Sequence, residues 1–202
     1  MDHTASAFES ELKDIAVKIG RMGERADEQL DDALEAILKC DATRAADVIA
    51  SDKLLDGEDA EIERKAIRAI ALRQPVADDL RRLISAMKIS ANLERCGDLA
   101  KNIAKRARVV APNVCATFPM GGIERLGRLV GARLEQVVSA YVRRDLEAAV
   151  QVWARDSEID AAHETLSREL LTAMSRAGDG TEAGIDRKST RLNSSHTDIS
   201  RM

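Results

Sequence analysis

The sequence predicts an all-α protein made of long antiparallel helices, and three features of its composition lead to that prediction. Aromatic residues make up only 2% of the 202 residues, whereas β-sheets favour aromatic and β-branched side chains. Charged residues account for 33% and hydrophobic residues for 45%, a balance typical of long helices with solvated outer faces. Only three prolines interrupt the chain, so few helix breaks are expected.

The first two helices follow from apolar periodicity and from capping residues. A first helix is predicted over residues 5–39, because apolar residues recur there at steps of three and four. Asp41 or Thr43 is placed to cap the second helix. That helix should end near Arg73, since the residue before Pro75 avoids the α region.

The third helix is predicted to begin at Pro75, which suits a first helical turn, and to run to about Val110. The segment 111–122 carries two prolines and two glycines and is predicted to be a linker. Further helices are predicted to begin near Ile123 and near Leu146. The apolar stripe assigned to the third helix consists of Leu80, Leu83, Ile84, Met87 and Ala91.

An internal repeat sets the predicted domain organisation. A shift of 104 residues aligns 19–70 with 123–174 without a gap, giving 13 identities over 52 positions. The chain is therefore interpreted as tandem three-helix bundles, with a first repeat over 1–110 and a second over 123–185. The second repeat reaches only its second helix before the pattern fails. Its two helices should leave apolar side chains exposed, which promotes association or poor order.

The last segment, 186–202, has a different character. It lacks an apolar stripe and is rich in Ser, Thr and Arg, where the repeat predicts a third helix. The string resembles the translation of a common sequencing-library adapter, so we interpret it as foreign to the natural protein. A natural disordered tail is the alternative interpretation.

Charge and hydropathy restrict the partners and the location. The formal net charge is −4, so no basic surface for nucleic acid is expected. No run of 18 apolar residues predicts a membrane span, and the N-terminus has no signal-peptide pattern. Three widely spaced cysteines argue against a disulfide framework and fit a reducing cytosol. The predicted location is cytoplasmic.

Two acidic groups stand out on the second and third helices. The first group consists of Asp52 and Asp56, followed by Glu63, and the second consists of Glu94, Asp98 and Asn102. Residues four apart share one helix face, and each group continues a stripe that is predicted to face the core. Carboxylates on such a line are costly unless they are paired or bound to a metal.

The two groups are also predicted to lie side by side. Each is about 20 residues from the turn at Pro75, and a rise of about 1.5 Å per residue puts them at similar heights. An all-oxygen donor set suits hard cations such as Mg²⁺ or Mn²⁺ and also accepts iron. The repeat gives Asp156 and Asp160 the positions of Asp52 and Asp56. We therefore predict a divalent or trivalent metal ion at these residues.

Other interpretations of the acidic groups stay open. The carboxylates would instead be solvated or paired with basic neighbours, namely Lys53, Arg64, Arg95 and Lys101. A carboxylate-bridged di-metal enzyme normally places Glu-x-x-His pairs inside its bundle, and the sequence contains none. A purely structural helical scaffold would place apolar residues at the inward acidic positions. The sequence shows no nucleophile–base pairing and no phosphate-cradling glycine loop, so no catalytic residue is predicted.

Two motifs together resemble the PhoU family. They are the turn Arg73-Gln74-Pro75 and the string Glu94-Arg95-Cys96-Gly97-Asp98 followed by Asn102-Ile103. The resemblance covers about residues 8–174 and implies a homodimeric cytoplasmic protein, not an enzyme. It implies a negative regulator of phosphate uptake and of the phosphate-starvation response. Such a regulator links the ATPase subunit of a phosphate ABC transporter to a sensor histidine kinase, so it meets the membrane only through partners.

The resemblance also implies metal binding through the acidic motifs. On this basis the metal role is assigned to Asp52, Asp56, Glu94 and Asp98, and to Asn102 less directly. Asp156 and Asp160 match the first half of a second site, whose partner motif is missing from this sequence.

Overall fold

The computed structural model describes residues 2–110 and 120–178, and these form six α-helices and no strand. The helices are α1 Asp2–Leu38, α2 Ala42–Arg73, α3 Ala77–Ala107, α4 Met120–Arg143, α5 Leu146–Ala154 and α6 Asp156–Gly178. The predicted all-α fold class is therefore confirmed. Most of the predicted linker, and the whole segment predicted to be foreign, lie outside the described residues.

Helices α1, α2 and α3 pack against one another and bury the main core. The predicted stripe of α1 faces this core, with Ile19 and Met22 fully buried. The apolar residues that meet them from the other two helices include Leu55, Ile62, Ala66, Leu83 and Leu93. A second cluster, made largely of alanines, lies between the same helices near the turn that joins α1 to α2.

The core-facing stripe of α3 differs from the predicted one. Its buried residues are Leu83, Ala86, Ser90, Leu93, Gly97, Ala100, Ala104 and Ala107. Leu80 and Ile84 are exposed instead, so the prediction was wrong by about one residue around the helix. Small residues form the true stripe because α3 lies very close to α1 and α2, and the larger apolar side chains were a misleading guide.

Of the two helix boundaries predicted at the Pro75 turn, the end of α2 was correct and the start of α3 was wrong. α2 ends at Arg73, and Gln74 adopts a left-handed conformation with φ 45° whose backbone N–H donates to the carbonyl oxygen of Ile70. α3 begins at Ala77 rather than at Pro75, so the predicted start was wrong by two residues. The extended backbone of Val76, with φ −119° and ψ 162°, separates the proline from the helix.

The repeat is visible in the turns that join the first two helices of each half. Asp41 caps α2 by accepting hydrogen bonds from the backbone N–H groups of Thr43 and Arg44, as predicted. Asp145, one repeat later, caps α5 in the same way. The residue before each cap has a positive φ, 52° at Cys40 and 57° at Arg144. Equivalent sequences thus form the same Schellman-type helix end.

The two halves meet where α4 packs against α1. A Cβ on Gly23 would lie 2.6 Å from Val138 Cγ1, and a Cβ on Gly127 would lie 2.5 Å from Leu34 Cδ2. Gly23 and Gly127 are equivalent in the repeat, as are Leu34 and Val138. The interface is therefore pseudo-two-fold, and each glycine receives the apolar side chain of the other half.

The second half departs from the first beyond α4. The predicted fifth helix is broken at Arg155 into α5 and α6. Large apolar side chains remain exposed in this second half, most strongly Trp153 at 79% and Leu146 at 77%, both on α5. The predicted exposure of apolar faces in the second half is thus confirmed. No described helix is long and apolar enough to cross a membrane.

The two cysteines among the described residues differ in their bonding. Cys96 is a half-buried free thiol, and burial raises its pKa. Cys40 is disulfide-bonded, which is at odds with the expectation of no disulfide framework and a reducing cytosol.

Candidate functional site

The acidic groups on α2 and α3 are joined by a lysine. The ammonium of Lys101 lies 2.5 Å from Asp52 Oδ2 and also pairs with Asp98 Oδ1. The side chain of Asp52 is only 7% exposed, so this carboxylate needs a positive partner. These ion pairs, first with Asp52 and then with Asp98, raise the pKa of Lys101 above its ordinary value. Both carboxylates thus pair with Lys101, one of the basic neighbours named as alternative partners.

Glu94 occupies the middle of the acidic cluster. Partial burial raises its pKa, and the negative charges of four other carboxylates raise it further. Those carboxylates are Asp98, Asp56, Asp59 and Asp52. The pKa of Asp98 is lowered, chiefly by its hydrogen bond with Lys101. The cluster thus holds more negative charge than Lys101 neutralises.

The structure brings some predicted residues together and leaves others apart. Asp52 is buried and Glu94 and Asp98 are half-buried, whereas Asp56 and Asn102 are exposed at the cluster's outer side. Since the stripes were misassigned, only Asp52 lies on a core-facing position. The acidic cluster is therefore a partly solvated seam between α2 and α3 and not an interior site.

Asp59 belongs to this seam, whereas the predicted Glu63 does not face the core. The hydroxyl of Ser90 donates to Asp59 Oδ1 at 2.6 Å, and Asp59 is half-buried while Glu63 is exposed. Asp59 lies three residues after Asp56, so the two side chains share one face of α2. This spacing is the feature of the sequence that could have identified Asp59 as part of the cluster.

Gly97 allows α3 to approach its neighbours closely enough for the seam to form. A Cβ at this position would overlap Leu55 Cδ1 and lie 3.0 Å from Gln29 Oε1. Gln29 is itself buried, and its side-chain amide donates to the carbonyl oxygen of Val48 at 3.3 Å. Gly97 lies one residue before Asp98, so the close approach sets the distance between the two acidic groups.

The predicted second site is not assembled from described residues. Asp156 and Asp160 both lie exposed near the start of α6. Their neighbour Glu158 pairs with Arg133 of α4 instead. In the repeat, His163 takes the position of Asp59, and its side chain is exposed.

The seam has the donor chemistry of a hard-cation site. Its groups are carboxylate oxygens, and the ammonium of Lys101 already pairs with Asp52 and Asp98. Within the described residues, no three His, Cys, Asp or Glu side chains are arranged to hold a metal ion. Lys101 already neutralises part of the seam's negative charge.

Known proteins match most of the chain. The family model for the PhoU domain matches residues 19–107 and 123–201. A relative from Caulobacter vibrioides, named phosphate-specific transport system accessory protein PhoU homolog, is 46% identical over 173 residues. That alignment covers 86% of this chain and 75% of the relative. The second family match runs across the segment that we predicted to be foreign, so that interpretation stays a prediction.

Two solved structures are similar in fold. The crystal structure of the phosphate transport system regulatory protein PhoU from Streptococcus pneumoniae has a TM-score of 0.77 and 27% identity. It matches 84% of this chain and 79% of that one. PhoU from Pseudomonas aeruginosa has a TM-score of 0.76 and 31% identity, covering 84% and 81% of the two chains.

Proposed function

The chain belongs to the PhoU family, and on that premise we propose that it is an accessory protein of the phosphate-specific transport system. In this role it is a negative regulator of phosphate uptake and of the two-component response to phosphate starvation. The observation that carries the proposal is the 46% identity to a relative of which the chain covers 75%. That relative is named for this accessory role and not for a catalytic one.

The proposed mode of action is that of an adaptor without catalysis of its own. Its partners would be the ATPase subunit of the phosphate ABC transporter, a sensor histidine kinase and a second copy of the chain, in the cytoplasm. The exposed apolar residues of α5, such as Trp153 and Leu146, are consistent with protein contacts in this half. No nucleic acid is proposed as a partner.

We also propose that the acidic seam binds a divalent or trivalent cation such as Mg²⁺, Mn²⁺ or iron. Asp52, Glu94 and Asp98 would hold it, with Asp56 and Asn102 at the outer side. The excess negative charge around Glu94 supports this proposal. When bound, the cation would supply positive charge that ties α2 to α3 and thereby fixes the surface that the adaptor presents.

A complementation assay tests the regulatory role. The full chain is expressed in a bacterium that lacks its own PhoU protein, and a phosphate-starvation reporter is read in phosphate-rich medium. The chain should restore repression of the reporter. An unrepressed reporter, with the protein present at normal levels, would refute the proposed regulation.

A second comparison tests the contribution of the acidic seam. Asp52→Asn and Asp98→Asn should reduce repression, whereas Asp47→Asn, an exposed carboxylate on the same helix as Asp52, should not. Elemental analysis of purified wild type and Asp98→Ala should find bound metal only in the wild type. Equal metal content in both proteins would remove Asp98 from the site.

A further inference from the structure

The junction between the two halves encloses a carboxylate. Asp27 of α1 lies against Gly131 of α4, its equivalent in the repeat, and a Cβ on Gly131 would lie 3.0 Å from Asp27 Oδ1. This oxygen is shielded from solvent and makes no hydrogen bond within the described part of the chain. A carboxylate oxygen in such a position loses its hydration without a replacement, so its negative charge is costly there.

Close packing on both sides keeps Asp27 in this position. The contacts of Val138 with Gly23 and of Leu34 with Gly127 flank it along the two helices. Because both contacts hold the helix backbones close together, the enclosed oxygen can regain water only if α4 moves away from α1. The charge state of one side chain is therefore linked to the packing of the two halves.

The neighbouring carboxylates add to the cost of this charge. Asp31 and Glu28 act on Asp27 from its own helix, and Glu135 acts on it from α4. Burial raises the pKa of Asp27, and these three negative charges raise it further. Asp31 and Glu135 are themselves equivalent in the repeat, so the pseudo-two-fold arrangement brings like charges together at the junction.

Protons have access to Asp27 through a cleft between α1 and α4 with a volume of about 650 Å³. The other charged residues that line this cleft are Arg21, Glu24, Glu28, Glu135 and Arg143. No positive charge among the described residues offsets the raised pKa of Asp27. Arg128 of α4 lies near Asp31 but forms its ion pair with Glu124. The carboxylate is thus left without a counter-charge.

We propose that the contact between α1 and α4 is a proton-sensitive joint, which is closed while Asp27 is protonated and loosens when Asp27 ionises. The sign follows from the surroundings of the side chain. In the closed joint the pKa of Asp27 is raised, whereas in an opened joint it returns toward its ordinary value. The closed joint is therefore most stable at low pH and loses stability as pH rises through the raised pKa.

Hydrogen exchange followed by mass spectrometry tests the joint on the full chain at low ionic strength. At pH 7, amides of α4 should exchange roughly fivefold more slowly in Asp27→Asn than in the wild type, a factor typical of an unsatisfied buried polar group. The difference should disappear as pH falls toward 4, because the wild-type carboxyl is then protonated. Exchange in α2 and α3 should be the same in both proteins, since these helices pack mainly on α1 and on each other.

Two further variants serve as controls. Asp14→Asn removes an exposed carboxylate from the same helix and should leave the exchange of α4 at the wild-type rate at every pH. Glu135→Gln removes the negative charge that α4 places near Asp27, so it should move the loosening of α4 to lower pH. Should Asp27→Asn fail to fold, Asp27→Ala removes the same charge and takes its place.

Four results would overturn the proposal. The first is equal exchange of α4 in the wild type and Asp27→Asn at pH 7. The second is a difference that persists unchanged at pH 4, because the new amide and not the lost charge then explains it. The third is an equal change in α2 and α3, which reports global stability instead of a joint. The fourth is a loosening pH that Glu135→Gln leaves where it is.

Discussion

Replacing Gly97 by Ala should destabilise the protein, although the change improves intrinsic helix propensity. A Cβ at position 97 would overlap Leu55 Cδ1, with Leu55 Cγ at 3.6 Å and Gln29 Oε1 at 3.0 Å. Leu55 is fully buried and Gln29 is 5% exposed, so neither side chain has free space to move into. The methyl group must therefore push α3 away from its neighbours.

Two opposing terms set the magnitude. Ala in place of Gly in a helix interior stabilises by about 1 kcal/mol. Overpacking a filled core typically costs about 1–3 kcal/mol. With two buried neighbours in the way, we take the upper part of that range, which leaves a net destabilisation of about 1–2 kcal/mol.

Gly57→Ala is the matched control. Gly57 lies inside α2, and a Cβ there would have nothing within 4 Å, so only the propensity gain of about 1 kcal/mol remains. Urea unfolding followed by circular dichroism gives both free energies. The two variants should differ by about 2–3 kcal/mol, with Gly97→Ala the less stable. If Gly97→Ala is as stable as Gly57→Ala, the close approach of α3 does not limit the packing.

Three further predictions concern charge and surface. Glu94→Gln should raise the free energy of unfolding at pH 7 in metal-free buffer. The pKa of Glu94 is raised in the folded protein, so the wild type loses stability as pH rises and this carboxyl ionises. Glutamine does not ionise and avoids that loss. Glu9→Gln should lower stability near pH 6 by less than about 1 kcal/mol. That loss should disappear as pH falls toward 2, since Arg82 and Arg144 lower the pKa of Glu9 to about 2. Trp153→Ser should change the free energy of unfolding by less than about 0.5 kcal/mol but reduce self-association, because the side chain is 79% exposed.

Each of these has a direct check. Urea unfolding at several pH values measures the free energy of unfolding of the Glu94→Gln and Glu9→Gln variants. Analytical ultracentrifugation measures the self-association of Trp153→Ser. A pH dependence of Glu94→Gln that parallels the wild type would contradict the assigned electrostatics. For Glu9, a stability difference that persists unchanged at pH 2 would do the same. Equal sedimentation of wild type and Trp153→Ser would mean that this surface does not drive association.

Part of the site could be predicted from sequence because helical geometry is local. The i+4 spacing of Glu94 and Asp98, and their distance from the Pro75 turn, were enough to place them opposite Asp52. The presence of Lys101 beside them was also visible as a candidate partner. Which carboxylate is buried depends on the rotation of each helix about its own axis, and that rotation was misjudged for α3.

The sequence by itself determined the helical fold, the Asp41 cap, the end of α2 and the repeat, because periodicity, capping side chains and proline restrictions act within a few residues. Tertiary structure alone decided the rotation of α3, the pairing of Lys101 with Asp52 and the insertion of Val138 against Gly23. The physical reason is that these depend on how closely two helix backbones approach. Small residues such as Gly97 and Ala100 permit that approach, and a hydrophobic pattern gives them too little weight to reveal it.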